Sequence, residues 1–444
     1  MTRRLIALLA VVKCALSAAA FAAPPVHEPK MSWLDNGVIR LGVDLELGGA
    51  ITWLSRSDDR VNLINSNDWG RQVQMSFYGG PTPYSVGEKK PRADWAGLGW
   101  NPIQSGDTYG HRSKVLEQRN DGARIYVKCI PMQWPLEDVP AECTMESWLE
   151  LDGAAVRAKG RLVNARADRT AYSVHLQELP AVYTNAPWHR IYTYSGAHPF
   201  AGEPVREIAA QPPPAWSRWT TTENWSALID DSGRGLGVWN PGAFEFGGGF
   251  NGRPGAGGAR DPECGYLAPN RAEILDHDID YTFRYELILG TLKQIRARVY
   301  AHSREAQVTG WDFTKGRQSW LCRHATDSGW RAGEAFEVKW TAADPSLESP
   351  LFFRRAEECG TLLLEAAFTT PETKARIYWS TLEVPGMDEA HAVSFPVLGD
   401  GVMRTYTVKL SDAPLYRGGL MKLRLDPADQ PPGSVRLRSI RLEK

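Results

Sequence analysis

Between Ser173 and Pro199 the chain reads SVHLQELPAVYTNAPWHRIYTYSGAHP, a dense gathering of side chains able to do chemistry. In an extended run alternate residues share a face, so Ser173, His175 and Gln177 are expected on one side and Val174 and Leu176 on the other. Pro180 should end the ladder, which sets Glu178 at the strand's exit and Tyr183, Trp188, His189, Tyr192, Tyr194 and His198 in the segment that follows. Aromatic rings interleaved with His, Gln and Glu suit a sugar, whose C–H faces stack on rings while its hydroxyls take directional hydrogen bonds. The competing reading is structural: histidines with local partners, a satisfied core glutamine and ordinary sheet aromatics.

Cleaving a glycosidic bond by hydrolysis needs two carboxyl groups, one kept protonated. Glu178, Glu223 and Glu263 are the candidates, because each stands beside aromatic or glycine-rich sequence rather than in a charged run. Lyase chemistry on a uronate would instead use His175 and Tyr194 as base and acid, with Arg71 or Gln104 against the carboxylate. Arg71, Gln72 and Gln74 follow Gly70 in a strand-like run whose amides and guanidinium suit hydroxyl or carboxylate recognition, unless that run is a solvated edge. Trp95 and Trp100 lie in a glycine-rich loop and read as exposed stacking platforms, joined by Trp188 and Trp225 as further ring contacts. The stretch 246–259, with GGG and NGRPGAGG, lacks the strand-then-helix setting and lysine of a phosphate loop, and reads as a surface loop on the groove's rim. No Cys-x-x-Cys occurs and no dinucleotide, phosphate-loop or kinase signature appears elsewhere, so no metal and no cofactor is expected.

These residues need a scaffold. A length of 444 residues exceeds one compact core, and 17 Trp, 15 Tyr, 41 Gly and 30 Pro favour strands and turns over helices, which predicts an all-β protein of two domains. A net charge of −1 offers no general field for nucleic acid. Residues 1–22 carry Arg3 and Arg4, an apolar run and the ending Ala20-Phe21-Ala22, which reads as a signal peptide and implies export to the periplasm or beyond. No later run is long and apolar enough for a membrane span. In an oxidising compartment Cys129 and Cys143, flanking a Pro-rich turn, are expected to close a hairpin, with Cys322 and Cys359 as a second pair and Cys264 left over.

The run NGVIRLGVDLELGGAITWL, a strand turning at Gly48-Gly49 and returning from Ala50, resembles the opening hairpin of galactose-mutarotase-like β-supersandwich domains of carbohydrate-active enzymes. Gln104 lies where that family carries a first histidine, His175 where it carries a second, and Glu263 in a segment like its Glu-bearing one, before the strand Tyr281 to Gly290. The resemblance implies an antiparallel supersandwich over residues 31–304 with a glycan as ligand or substrate. Residues 318–444 read as six further strands, like a jelly-roll module, and are expected to form a smaller sandwich that binds carbohydrate or merely stabilises. The leading expectation is an exported glycoside hydrolase or polysaccharide lyase. A non-catalytic glycan-binding protein is the alternative, and an epimerase ranks third because Gln104 replaces the first histidine.

Overall fold

The computed structural model describes residues 28–209, 216–255, 257–303, 305, 307–331 and 333–444. The expected leader therefore lies outside the described residues. Within them the chain is all-β, in four antiparallel sheets with one α-helix.

Two large sheets make the first sandwich. The ten-stranded sheet runs, edge to edge, through Met31–Asp35, Ile39–Asp44, Ala50–Arg56, Val73–Ser76, His175–Asn185, Cys264–Glu273, Glu245–Asn251 and Trp216–Thr220, with two short strands joined beside Val73–Ser76. The nine-stranded sheet packs on it, and Val43, Phe77, Val182, Phe246 and Leu267 from the first meet Val127, Val156, Leu162 and Leu287 from the second in one core. Period-two patterning explains the second sheet's strands: in Ala155–Asn164, Val156, Ala158 and Leu162 are buried while Arg157 and Lys159 are exposed. The opening hairpin turns as expected at Gly48, whose φ of +62° favours glycine and whose added Cβ would stand 2.0 Å from the Gln104 carbonyl oxygen.

The helix, Leu292–Ala301, follows the last strand of this sandwich, Asp280–Thr291. Thr291 starts it with a capping box, its side chain accepting from the Gln294 backbone N–H while Gln294 accepts from the Thr291 backbone. Ile295 and Val299 are its buried positions, one turn apart, and they pack with Trp225 and Trp239.

The second sandwich is smaller, two six-stranded antiparallel sheets around a core that includes Trp340, Leu364, Trp379, Leu423 and Ile440. Its strands Thr361–Thr369, Lys374–Thr381, Ala392–Pro396, Arg404–Lys409, Gly419–Asp426 and Gly433–Glu443 match the six expected runs. Gly310–Asp312 already pairs with the last of these. The two sandwiches touch: Phe244 belongs to the second core, and Arg317 places its guanidinium 2.9 Å from Asp276 and 2.8 Å from Asp327.

Two expectations are corrected here. The stretch 246–259 is a surface loop only from Gly252, after its first six residues, for Glu245–Asn251 is a largely buried strand inside the ten-stranded sheet. Its glycines are there for close approach, since a Cβ on Gly248 would stand 2.4 Å from the Tyr266 carbonyl oxygen and 2.9 Å from Trp219. The cysteines Cys129, Cys143, Cys264, Cys322 and Cys359 are all free thiols. The register accounts for the first pair: Cys129 stands opposite Met145, so Cys143 is its diagonal neighbour. Diagonal neighbours lie about 7–8 Å apart, beyond the usual disulfide range of about 4.4–6.8 Å. Among the described residues no helix is long and apolar enough to cross a membrane.

Candidate functional site

The outward face of the ten-stranded sheet, away from the shared core, carries three parallel rows of side chains. A polar row follows the register from Ser76 to Glu178, Asn270, Glu245 and Thr220. Two residues along each strand, or three across the irregularity between Glu178 and Ala181, comes a row of small residues, Ala181, Ala268 and Gly247, flanked by Gln74 at one end and Arg218 at the other. Two further on stands an aromatic row in which Tyr183 faces Tyr266 and Gly249 separates Tyr266 from Trp216. The Tyr183 and Tyr266 rings lie 4.8 Å apart at 30°, and Trp216 meets Tyr266 edge-on at 5.0 Å. The three rows make one strip, here called the trough, in which small residues run between a carboxylate row and an aromatic row and Tyr266 packs over Ala181 and Ala268 to reach Glu178.

One irregularity sets this face. The pairing of His175–Asn185 shifts between Glu178 and Val182, and the extra residue reverses the alternation. Leu179 and Val182 thereby both enter the core, while Glu178, Ala181 and Tyr183 all look outward.

Glu178 is the centre of the polar row. The Tyr266 hydroxyl donates to its Oε1 at 2.5 Å, and the hydroxyls of Tyr78 and Ser76 stand beside it, Ser76 donating to Tyr78 at 3.0 Å. Burial pushes the Glu178 carboxyl above the ordinary glutamate value, against these hydroxyls, which favour its charged form. Burial likewise holds the Tyr266 phenol well above its usual value, so it remains a donor. Glu245, two strands away on the same row, is raised by burial too, opposed by Arg218 and by Lys422 of the second sandwich. Its Oε1 is buried with no hydrogen bond, the Arg218 Nη1 standing 3.6 Å off. A carboxyl kept neutral beside aromatic rings can donate a proton to an oxygen bound in the trough.

The expected convergence of His175, Gln177, Gln104, Trp100 and Tyr194 on one groove does not occur. Gln177 looks to the opposite side from Glu178 and clamps Tyr78, accepting from its N–H at 2.8 Å and donating to its carbonyl at 2.8 Å. Gln104 accepts from the Met75 N–H and donates to the Gly48 carbonyl, and Gln74 holds Trp69 and Ser105, so these amides serve buried backbone. Trp95, Trp100, Trp188 and Trp225 are buried, because their apolar area outweighs the polar loops in which they stand. His175, half-buried, bonds the Ser173 carbonyl with its Nδ1. Tyr194 is buried near the helix and donates to Glu203, on the other sheet's side of the molecule. Glu223 is fully buried, accepting from the Phe200 N–H, Trp225, Arg296 and Tyr300, which makes it a structural hub. Glu263 packs against Gly252, just before its strand enters the sheet. Arg71 reaches the aromatic wall beside Tyr183 but is held by Asp68 at 3.0 Å and the Pro262 carbonyl at 2.8 Å.

Of the expected catalytic residues, then, Glu178 alone lies in the trough. Tyr78, Trp216, Arg218, Glu245 and Asn270 do not stand out in the sequence, although alternation in EFGGGFN, read as a strand, places Glu245, Gly247 and Gly249 on one face. A separate cleft of about 350 Å³ lies on the outer face of the nine-stranded sheet, near Trp148, Lys159 and His302. Its charges answer one another, as in Arg284 with Glu305 at 3.1 Å and Arg157 with Glu286 at 3.9 Å, and it holds no carboxyl ringed by hydroxyls. Among the described residues no cluster of three or more His, Cys, Asp or Glu is arranged to hold a metal ion.

No protein-family model and no curated protein matches the chain. Solved structures do. A galactose mutarotase-like protein from Lactobacillus casei is 10% identical, with a TM-score of 0.38, over 59% of this chain and 100% of its own. A galactose mutarotase related enzyme from Lactobacillus acidophilus is 9% identical, with a TM-score of 0.40, over 59% of this chain and 97% of its own. A 4-alpha-glucanotransferase from Thermococcus litoralis is 12% identical, with a TM-score of 0.32, over 60% of this chain and 40% of its own. About 60% of the chain is thus distantly similar in fold to galactose mutarotase-like structures, and the remainder lies outside that likeness.

Proposed function

We propose that the protein is a carbohydrate-active enzyme that binds a saccharide in the trough and uses Glu178 as proton donor to a glycosidic oxygen. The observation that carries this reading is the half-buried Glu178 carboxyl, bonded by the Tyr266 hydroxyl with those of Tyr78 and Ser76 beside it, on the face that carries the Tyr183, Tyr266 and Trp216 rings. Aromatic rings take the apolar face of a sugar, and the polar row takes its hydroxyls. Glu245 is the second carboxyl. Two strand spacings of about 4.8 Å put its backbone roughly 10 Å from that of Glu178 on the same outward row, so two carboxyls face one surface, as the acid and base of a hydrolase must. Hydrolysis therefore fits the trough better than the lyase scheme, whose His175 and Tyr194 stand apart.

The test incubates the purified protein with a panel of bacterial and plant glycans, following new reducing ends and the absorbance of unsaturated uronates. Reducing ends that appear with the wild type and fall about a hundredfold to ten-thousandfold in Glu178→Gln support the reading. Binding with no turnover by the wild type would leave recognition alone. Export is proposed on the leader-like residues 1–22 and is checked by sequencing the N-terminus of the protein recovered outside the cytoplasm.

A further inference from the structure

Resting on the reading of the trough as a saccharide site, we propose that the sugar it accepts carries a carboxylate, as a uronic acid does, and that Arg218 receives it.

Arg218 ends the small row. Its strand partner is Gly247, and a Cβ on Gly247 would lie 3.9 Å from Arg218 Cγ, so the arginine stem runs along the trough floor. The neighbouring Trp219 is turned into the core, which fixes Arg218 on the outward face. Its side chain is 53% exposed, and among the described residues its one ion-pair contact is Glu245 at 3.6 Å, beyond hydrogen-bond length. The other cations near the trough are engaged: Arg71 by Asp68 and the Pro262 carbonyl, Arg271 by the Gly242 carbonyl, and Lys422 by Glu348. Among the described cations named here, Arg218 presents an unspent planar fork of donors where a sugar stacked on Tyr266 and Trp216 would end.

That fork selects the ligand's chemistry. Paired N–H groups match a carboxylate bidentately, whereas a neutral hydroxyl uses only one of them. A phosphate monoester, close to two negative charges, calls for a second free cation, and Lys422 and Arg71 are not free. One guanidinium and one carboxylate balance. Glu245 is a weak rival for it, since its Oε1 stands 3.6 Å from the guanidinium and makes no hydrogen bond with it.

The experiment measures binding by calorimetry to a set of uronate-containing oligosaccharides and, for each, the same oligosaccharide after chemical reduction of its carboxylates to alcohols. Wild type, Arg218→Gln, Glu178→Gln and, as a remote control, the exposed Arg206→Gln are compared. The expected result is that at least one uronate oligosaccharide binds, its reduced counterpart binds about tenfold or more weakly, and Arg218→Gln removes the difference while Arg206→Gln keeps it. Equal affinity for a glycan and its reduced counterpart, with Arg218→Gln unchanged, overturns this inference and leaves the Glu178 reading standing. An acid preference that survives in Arg218→Gln overturns the assignment to Arg218. If no member of either series binds, both readings fall together.

Discussion

The Tyr266 hydroxyl donates to Glu178 across two adjacent strands at 2.5 Å, and burial keeps both groups toward their protonated forms. The pair ties the aromatic wall of the trough to its carboxylate wall. Burial thus extends upward the pH range over which the carboxyl keeps its proton, which is the direction the proposed chemistry needs.

Stability should carry the mark of that proton. Glu178 has a folded-state value raised above its unfolded one, so its contribution is complete below the ordinary glutamate value of about 4.3 and is lost as pH rises through the folded value. Glu178→Gln, which cannot ionise, should therefore gain on the wild type as pH rises through that window. Urea midpoints of the two proteins at pH 4 and pH 7 check it; a difference that does not grow toward neutral pH contradicts the burial argument.

Filling the floor should block the trough without unfolding the sheet. Gly247 lies in a strand and needs no left-handed φ, and a Cβ there meets the Asn270 Nδ2 at 2.9 Å, the movable end of a side chain. Gly247→Val is expected to retain the wild-type circular dichroism and to lose at least tenfold in glycan affinity. Unchanged affinity would mean that the ligand does not lie over this floor.

The hub at Glu223 should behave in the opposite way. Its carboxylate is fully buried against Arg296, with the Tyr300 hydroxyl and the Phe200 N–H at 2.9 and 2.8 Å. Glu223→Ala strands the Arg296 charge and should cost about 3–5 kcal/mol of unfolding free energy. Denaturant titration reads the loss, and a stable variant that binds no glycan would instead place Glu223 in the site.

In protein lacking residues 1–22, which hold Cys14, five free thiols should be counted at Cys129, Cys143, Cys264, Cys322 and Cys359 on denaturation without reductant. Two fewer would mean that one bridge forms despite the diagonal register.

Much of the architecture was legible along the chain. Alternation in Ala155–Asn164, the Gly48-Gly49 turn and the six runs after residue 318 each follow from local rules of strand pleat and turn geometry. Glu178 could be singled out because a carboxylate amid apolar and aromatic neighbours is costly to bury without a role.

Its face could not be counted from the sequence. One extra residue between Glu178 and Val182 turns the parity of the strand, and only pairing with both neighbouring strands reveals that bulge. The same holds for partners far apart in the chain: Tyr266 and Glu178 are 88 residues apart, and their meeting depends on which strands lie side by side. Trp100 reads as a platform until the core claims it, since burying an indole yields more than its loop setting opposes. The residues alone determined an all-β chain with a carboxyl and rings suited to sugars. Sheet order and register, set by long-range packing of the two faces, decided which of those residues share a surface.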